Sequence, residues 1–323
     1  MGIVVKQGFY ALLALVFIGG GSILWVMVDF NVPGPLEAPT TLVIAPSTHF
    51  TAIADRLAET HVITHPFLFE VLTFVRGESP KFKAGEYSFP AHISANEVAG
   101  MMAAGKTVIH HLTIPEGLMT SEILALVREN PALDGEITLD LHEGDLLPET
   151  YNFSRGDKRN DLLLRMQHMM EKTLAEAWAA RAEGLPFATP QQALTLASIV
   201  ERETGLKAER ARVAQVYINR LRKNMLLQAD PTTAYAVTGG KHKLTRPLTY
   251  ADLAIDSPYN TYKIPGLPPG PIANPGKASI LATLHPQPSD ELYFVATGTG
   301  GHNFARTMEE HEANVLKFRE TRH

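Results

Sequence analysis

The chain has 323 residues, of which 45% are hydrophobic and 20% are charged, and this composition is typical of a globular protein with about two domains. The formal net charge of −5 leaves no basic excess, which disfavours nucleic acid as a partner. The sequence contains no cysteine, and this excludes disulfide bonds, thiol catalysis and cysteine-based zinc sites.

The N-terminal part of the chain contains one long apolar segment. The range Phe9–Val28 includes no charged side chain, and a helix of about 20 residues matches a bilayer hydrocarbon core about 30 Å thick. Lys6 precedes the segment and Asp29 follows it, which favours a cytoplasmic N-terminus. We therefore predict a single-pass membrane anchor over residues 1–30 and a tether over residues 31–40, with the remainder on the side of the membrane opposite to the cytoplasm.

A cleaved signal peptide is the alternative for this segment. The apolar part of a signal peptide is shorter, about 7–15 residues, and ends in a cleavage site of the A-x-A type. In this chain the apolar run is longer, and it is followed by Asn31-Val32-Pro33-Gly34-Pro35. The sequence therefore favours an anchor that is retained.

Two stretches of the sequence share one pattern, in which a short apolar strand is followed by a turn and an amphipathic helix. The first is Leu42–Leu57 and the second is Leu112–Val127, and the spacing from Ile44 to Ile53 is repeated from Ile114 to Ile123. A unit of this kind resembles the lysin-motif (LysM) module, a small fold that binds peptidoglycan. Ordinary packing of a strand and a helix is the alternative reading of the same pattern.

The remaining pattern predicts two α+β parts. Residues 83–89 alternate as a strand does, and Ser94 begins a helix that runs to Ala103. We therefore predict a LysM-like α+β subdomain over residues 41–110 and a larger α+β domain over residues 111–323. Strands and helices alternate too irregularly for a doubly wound sheet. The larger domain is predicted to contain helices over 161–183 and 190–224, a loop-rich region to Pro288, a strand over 292–296 and a terminal helix over 308–319.

The helix predicted from residue 190 contains a candidate acid. Apolar side chains at helical spacing form a stripe along it, and Glu203 extends one side of that stripe. A carboxyl at the end of a buried face loses hydration, so its pKa should rise. A carboxylic acid that stays protonated near neutral pH can protonate a glycosidic oxygen. The alternative is a solvated helix end at which Glu203 pairs with Lys207.

The loops after this helix are rich in proline and glycine and carry amide, hydroxyl and aromatic side chains. Such side chains bind sugars, because rings stack on pyranose faces while amides bond to hydroxyl and acetamido groups. No set of histidines and carboxylates stands at metal-ligand spacing, so neither a metal nor a cofactor is predicted. The candidates for saccharide contact are Gln228, Asp230, Tyr259, Asn260 and Asn303.

Short motifs along most of the chain occur together in one family of proteins. They are Lys83–Tyr87, Glu143-Gly144, Pro148–Tyr151, Ala197–Thr204, Val216–Leu221, Leu227–Thr232, Tyr259–Tyr262, Gly266–Ile272 and Gly301–Phe304. With these motifs the chain resembles the endolytic murein transglycosylase family (the MltG/YceG-like group). The similarity extends from the apolar N-terminal segment to about residue 320.

The resemblance implies a periplasm-facing enzyme that cuts the β-1,4 bond between N-acetylmuramic acid and N-acetylglucosamine inside peptidoglycan strands. Its products carry 1,6-anhydro ends, and cutting of this kind would terminate nascent strands near peptidoglycan synthases. In the family pattern the second glutamate of the helix motif is catalytic, which places this role on Glu203. Thr204 matches the Glu-Ser/Thr pair of other lytic transglycosylases. Glu201 either supports the site from behind or faces solvent, and its helical direction favours solvent.

A lytic transglycosylase needs one carboxyl group, because the C6 hydroxyl of the sugar is the internal nucleophile. Glu203 would protonate the departing oxygen and then accept the C6 hydroxyl proton. Two readings compete with this one. A muramidase would hydrolyse the same bond, and a non-catalytic cell-wall-binding or assembly protein would hold glycan without cutting it.

Overall fold

The structure is a computed structural model that describes residues 20–22 and 24–320. Within these residues, helices are mixed with three sheets of two strands each. The predicted α+β class is therefore confirmed.

The chain divides into two compact units. Unit 1 comprises the described residues up to His110 together with Ser154–Gly156. Unit 2 comprises His111–Phe153 and the described residues from Asp157 onward. Each unit has a hydrophobic core of its own.

Unit 1 is built around one antiparallel strand pair. In this pair Leu42 stands opposite Tyr87, and alternate residues of each strand are buried, as the period of two in a strand requires. The helices were predicted from the sequence except α2, whose apolar residues lack the periodicity of a one-sided helix. The elements are β1 (Thr40–Ile44), α1 (Phe50–Glu59), α2 (Pro66–Val75), a 3-10 turn (Ser79–Lys81), β2 (Gly85–Phe89) and α3 (Ala95–Ala104).

The start of α3 confirms the helix predicted from Ser94. The Ser94 hydroxyl accepts a hydrogen bond from the Glu97 amide, and the Glu97 carboxylate accepts one from the Ser94 amide at 2.9 Å. This reciprocal pair satisfies two amides that a helix start leaves without intrahelical partners. The helix ends at Gly105, which adopts a left-handed conformation.

The segment predicted as a tether, residues 31–40, packs onto unit 1. The Gly34 amide donates to the carbonyls of His92 and Ile93, and the side chains of Phe30 and Leu36 are buried in the unit 1 core. A side chain at Gly34 would meet the Ile93 carbonyl oxygen at 2.3 Å, so only glycine fits there. The proline-containing segment therefore runs along the surface of unit 1 and does not act as a spacer.

Most of the predicted membrane anchor, residues 9–19 and Ile23, lies outside the described residues. Residues 20–22 and 24–31 are helical. Among the residues that the structure describes, no helix is long and apolar enough to cross a bilayer.

Unit 2 is mainly helical. Its two strand pairs are the parts of β3 and β4 that lie between His111 and Phe153, and the antiparallel β5 with β6, in which Phe294 stands opposite Phe304. The second predicted strand–turn–helix repeat is confirmed by β3 and α4. The elements are β3 (Ile109–Thr113), α4 (Thr120–Glu129), β4 (Thr150–Ser154), α5 (Arg159–Ala179), α6 (Pro190–Glu203), α7 (Arg210–Arg222), α8 (Asp230–Thr238), α9 (Tyr250–Leu253), α10 (Lys277–Leu284), β5 (Tyr293–Ala296), β6 (His302–Ala305) and α11 (Met308–Glu320).

The single helix predicted over residues 190–224 is wrong, because the chain breaks it into α6 and α7. Thr204 adopts an extended conformation, and its hydroxyl accepts a hydrogen bond from the Leu206 amide. Gly205 between them lowers the cost of leaving the helix. The break makes Glu203 the last residue of α6 and allows α7 to pack beside it.

The loop-rich region predicted up to Pro288 is also partly wrong, since it contains α8, α9 and α10. Pro231 is the informative case. It lies in the first turn of α8, where proline is tolerated because the amide that it lacks would have no helical partner. Because the sequence pattern assigns the prolines of this region to loops, it does not predict the start of α8.

Helix α6 lies inside the larger core of unit 2. Every residue from Ala193 to Val200 is buried, and Leu196 and Ile199 pack in one cluster with residues of α7 and α10. Burying a leucine or isoleucine side chain stabilises a fold by about 1.5–3 kcal/mol. Glu203 is thus carried by a helix whose position is fixed by its packing.

Candidate active site

A cavity of about 260 Å³ opens in unit 2 at the C-terminal end of α6. Its wall combines two carboxyl groups, one guanidinium, one amide, one imidazole and three aromatic rings. These belong to α6, α7, the segment that leads into α8, the first residue of α8, the loop between α9 and α10, β5 and α11. The lining residues are Glu203, Tyr217, Arg220, Leu227, Gln228, Asp230, Tyr262, Phe294 and His311.

Glu203 is held in this wall by one short hydrogen bond. The hydroxyl of Tyr217, a buried residue of α7, donates to Glu203 Oε1 at 2.6 Å. Burial raises the pKa of the Glu203 carboxyl to about 7, although the bond from Tyr217 acts in the opposite direction. The charge of Asp230 raises this pKa further, and the charge of Arg220 lowers it. Loss of hydration outweighs the other effects, so the carboxyl holds its proton near neutral pH.

The end of the helix acts in the same direction as burial. The last carbonyls of a helix carry partial negative charge, which disfavours an ionised carboxylate beside them. The alternative in which Glu203 pairs with Lys207 along a continuous helix does not apply, because Lys207 lies in a 3-10 turn after the break. The predicted rise of the Glu203 pKa therefore has a structural cause.

Arg220 supplies the positive charge of the cavity. Its guanidinium donates to the carbonyl oxygens of Leu227 at 2.8 Å and Leu292 at 2.7 Å, and it lies 5.2 Å from the ring of Tyr293. Backbone carbonyls fix its position without cancelling its charge. Burial lowers the pKa of Arg220, yet the group stays charged at neutral pH.

Gln228 and Asp230, two predicted saccharide contacts, both lie in the cavity wall. Gln228 has a left-handed backbone with φ of 51°, and its backbone N–H donates to the Thr261 carbonyl. Asp230 accepts a hydrogen bond from the Tyr262 hydroxyl at 2.6 Å. Both side chains are exposed, so their polar groups can reach a ligand.

Asn260 is placed differently from the prediction, because it is fully buried. Its side-chain amide donates to the carbonyls of Leu253 and Ile255, and its oxygen accepts from the Thr233 hydroxyl. These bonds use the side chain inside the protein. Asn260 supports the turn that carries Tyr262 and does not line the cavity.

Tyr259 and Asn303 also lie outside the cavity wall. The ring of Tyr259 packs against Tyr235 with 4.8 Å between centroids. Asn303 belongs to β6 and stands opposite Val295 in the antiparallel pair. Their contact with saccharide stays a prediction.

The prediction that Glu201 faces solvent is wrong. Its side chain is 4% exposed and accepts a hydrogen bond from Arg210, which is 5% exposed, at 2.8 Å. Its second oxygen accepts from the Gly276 amide at 2.9 Å. The loop at Gly276 and the start of α7 cover a face that looks polar in the sequence. Thr204, the other predicted supporting residue, is buried and caps the end of α6.

His311 is a residue of the wall that no sequence motif indicated. It lies in α11, and its ring stacks on Tyr293 with centroids 5.2 Å apart. Burial and the nearby charge of Arg220 lower its pKa, so the imidazole is neutral near pH 7. Within the part of the chain that the structure describes, its Nδ1 is buried without a hydrogen-bond partner. The terminal helix is rich in charged residues, and its local pattern gives no signal for a site.

Comparison with known proteins decides the family. The YceG-like family model matches residues 42–317. An endolytic murein transglycosylase from Bacillus subtilis (strain 168) is 33% identical over 299 residues, which cover 83% of this chain and 81% of that relative. The chain belongs to the YceG-like family.

Two further relatives agree with this assignment. An endolytic murein transglycosylase from Streptococcus pneumoniae serotype 2 is 28% identical over 361 residues, with 96% of this chain but only 64% of the relative covered. The chain thus spans less than two thirds of that relative's length. A crystal structure of a YceG-like protein from Listeria monocytogenes is 31% identical with a TM-score of 0.52, and the match covers 86% of this chain and 99% of that one.

In this YceG-like chain, Glu143 of one family motif and Asn274 have a structural role. The side chain of Asn274 is fully buried; it accepts from the amides of Gly144 and Leu146 and donates to Thr120. It thereby joins three segments of unit 2. Glu143 accepts from the Thr120 amide at 2.9 Å, and burial raises its pKa to about 6. Neither side chain lines the cavity.

Among the described residues, no three histidine, aspartate or glutamate side chains come close enough together to hold a metal ion. What the wall offers is proton transfer, one fixed positive charge and aromatic faces. That combination suits acid catalysis on a neutral or anionic saccharide.

Proposed function

We propose that this protein is an endolytic lytic transglycosylase that cleaves the bond between N-acetylmuramic acid and N-acetylglucosamine in peptidoglycan strands. The observation that carries the proposal is the Glu203 carboxyl, whose pKa is about 7, in the wall of a polar cavity. The names of the relatives, endolytic murein transglycosylases, give the substrate class. No cofactor enters the chemistry.

The first step is protonation of the departing oxygen. The bond from Tyr217 occupies Glu203 Oε1, which leaves Oε2 for the proton that is passed to the glycosidic oxygen. A carboxyl whose pKa is near the working pH is protonated often enough to act and still donates readily. As the glycosidic bond breaks, positive charge develops at the anomeric carbon of the muramic acid residue.

The second step closes the anhydro ring. The C6 hydroxyl oxygen of the same sugar attacks the anomeric carbon, and the Glu203 carboxylate accepts the hydroxyl proton. Glu203 is thereby reprotonated, and no water is consumed. An internal nucleophile has a high effective concentration, which replaces the second carboxylate that a hydrolase uses.

The other wall residues are assigned to saccharide binding. The rings of Tyr262 and Phe294 offer faces for pyranose stacking, and Gln228 and Asp230 offer hydrogen bonds to hydroxyl or acetamido groups. The guanidinium of Arg220 suits the lactyl carboxylate of muramic acid, because charge-assisted bonds to carboxylates are strong. Supporting this assignment, all five side chains line the cavity with Glu203.

Residues 41–110 are proposed to form a LysM-like subdomain that holds glycan, ahead of a catalytic domain over residues 111–323. The element order of strand, two helices and strand, with the strands paired antiparallel, supports this assignment. A small binding module would raise the local concentration of glycan near the catalytic unit.

Residues 9–28 are proposed to anchor the protein in the cytoplasmic membrane with the rest of the chain on the periplasmic face. The uncharged apolar sequence supports this placement. An enzyme held there would meet nascent strands, so peptidoglycan synthases are proposed as partners.

The experiment for the proposed reaction compares the full chain with Glu203→Gln on purified sacculi, with products identified by mass spectrometry. We expect anhydro-muropeptides from the full chain and a loss of about 10²–10⁴-fold in the variant, since this is what a general acid contributes. Glu183→Gln is the matched control, because Glu183 is an exposed glutamate of the same unit. Full activity of Glu203→Gln would remove the assigned acid.

A muramidase is the second candidate, and the observation that favours it is Asp230, another carboxylate in the same wall. A hydrolase needs such a group as a base or nucleophile. Its products carry one added water, so their mass separates the two reactions. Asp230→Asn would abolish hydrolysis but leave most of the lytic reaction. Binding to sacculi without any release would instead indicate a non-catalytic cell-wall protein.

A further inference from the structure

Helix α2 in unit 1 has an apolar face that no part of the described protein covers. Phe67, Phe74 and Val75 are 72%, 73% and 76% exposed, and Val71 between them is 42% exposed. These four positions follow the helical spacing of one face, which we call the α2 face. The opposite side is buried through Phe69. A helix at a water-facing surface normally presents polar side chains there.

The α2 face continues into a short helix, residues 24–31, whose first residues are the described end of the N-terminal apolar segment. Leu24, Trp25 and Met27 in this short helix are also exposed. An apolar cleft of about 280 Å³ between the two helices is lined by Met27, Val71 and their neighbours. Together the two helices form one apolar surface, larger than scattered hydrophobic residues would give.

The two helices are fixed to the same body. Phe30, at the end of the short helix, is buried in the unit 1 core and packs against Phe69 of α2, with ring centroids 6.1 Å apart. Beyond it, the hydrogen bonds of Gly34 and the burial of Leu36 hold the chain on the unit. The apolar segment therefore meets unit 1 without a free linker that would let the α2 face move away from it.

We propose that the α2 face inserts into the interfacial layer of the lipid bilayer, as a second membrane contact beside the N-terminal segment. This rests on the proposed anchoring. A bilayer is the occupant that the surface fits, because the first five residues of the short helix are the end of the uncharged run of residues 9–28. Phenylalanine and tryptophan side chains favour the boundary between headgroups and acyl chains.

Charge on the same surface is sparse, so lipid contact depends on apolar insertion. The charged groups of α2 and its C-terminal end are Glu70 and Arg76, and Arg76 pairs with Glu78 at 3.3 Å. Contact through insertion should therefore persist at high salt, where attraction to anionic headgroups is screened.

The chain contains no cysteine, which permits single-cysteine labelling of the full protein. Phe67→Cys and Phe74→Cys report on the α2 face, and both positions are exposed, so the changes leave the core intact. Asp55→Cys on α1 is the water-facing control, and Leu15→Cys reports on the proposed anchor. Each variant carries a polarity-sensitive fluorophore in vesicles of phosphatidylethanolamine and phosphatidylglycerol, with nitroxide groups placed on the acyl chains.

We expect labels at 67 and 74 to shift their emission to the blue and to lose most of their intensity to the acyl-chain quencher, with no change at high salt. The label at 55 should behave as in water. If the labels at 67 and 74 match that at 55 while the label at 15 is quenched, the docking proposal is wrong and the anchor stands. If the label at 15 escapes quenching, the anchoring itself is wrong.

Discussion

The two sides of the last turn of α6 carry glutamates only two residues apart, yet they differ in chemistry. On one side Glu201 is paired with the guanidinium of Arg210 and accepts the Gly276 amide. On the other side Glu203 accepts a hydrogen bond from the hydroxyl of Tyr217. The guanidinium of Arg220, in the same cavity wall, donates its hydrogen bonds to backbone carbonyls. Burial is common to both sides. The two carboxyl groups differ in their partners: a guanidinium gives Glu201 a structural role, and a phenol hydroxyl leaves Glu203 able to keep a proton.

The largest expected effect comes from removing the partner of Glu201. Arg210→Met leaves a buried carboxylate uncompensated, and breaking such a pair costs about 3–5 kcal/mol. The free energy of unfolding, measured by urea denaturation, should fall by this amount. The double variant Glu201→Gln/Arg210→Met should recover most of the loss, because the buried carboxylate is removed and Glu116, the second partner of Arg210, is 38% exposed to solvent. A single variant as stable as the parent would show that the two sides do not differ in this way.

The next largest effect is a gain in the free energy of unfolding when Glu203 is replaced by glutamine. The folded pKa of Glu203 is about 7 against 4.5 for the free group, so the folded state binds the proton more tightly than the unfolded state. Stability is therefore lost as pH rises from about 4.5 to about 7 and stays lower above that range. Glu203→Gln removes this loss, which at most is worth about 3 kcal/mol.

Unfolding free energies at pH 4 and pH 8 check this sign. The difference between Glu203→Gln and the parent should favour the variant more strongly at pH 8 than at pH 4. An equal difference at both pH values would mean that the carboxyl is not destabilised by ionisation, and that its surroundings resemble those of an ordinary surface acid.

A smaller effect is expected in the pH profile of catalysis. The parent's kcat/KM should fall tenfold per unit above about pH 7, as Glu203 loses its proton. Tyr217→Phe removes a bond that favours the ionised form, so this limb should move to higher pH. Asp230→Asn removes a nearby negative charge and should move the limb to lower pH. Movement of both variants in one direction would contradict the assigned electrostatics.

Local sequence patterns predicted those parts of the molecule that depend on neighbours in the chain. The helix start at Ser94 and the buried stripe that ends at Glu203 follow from helical spacing and capping chemistry, and both are present. Tyr217 and Arg220 belong to a family motif, but their meeting with Glu203 depends on the break at Gly205. No local pattern indicated that this break would turn α7 beside α6.

Other differences arose where a residue has two local meanings. The pattern around Pro231 fits a turn and a helix start equally well, and packing in unit 2 selects the helix. The helical direction of Glu201 suggested solvent, but the loop at Gly276 comes from far along the chain and covers it. His311 joins the cavity in the same long-range way. Tertiary contacts of this kind are not encoded in short spacing.

The most direct measurement is the titration of the Glu203 carboxyl itself. Carbon-13 NMR of the protein labelled at glutamate side chains, compared with Glu203→Gln, isolates its signal. We expect the resonance missing from the variant to titrate near pH 7. A titration near pH 4.5, the value for an unperturbed glutamate, would contradict the role of Glu203 as the acid.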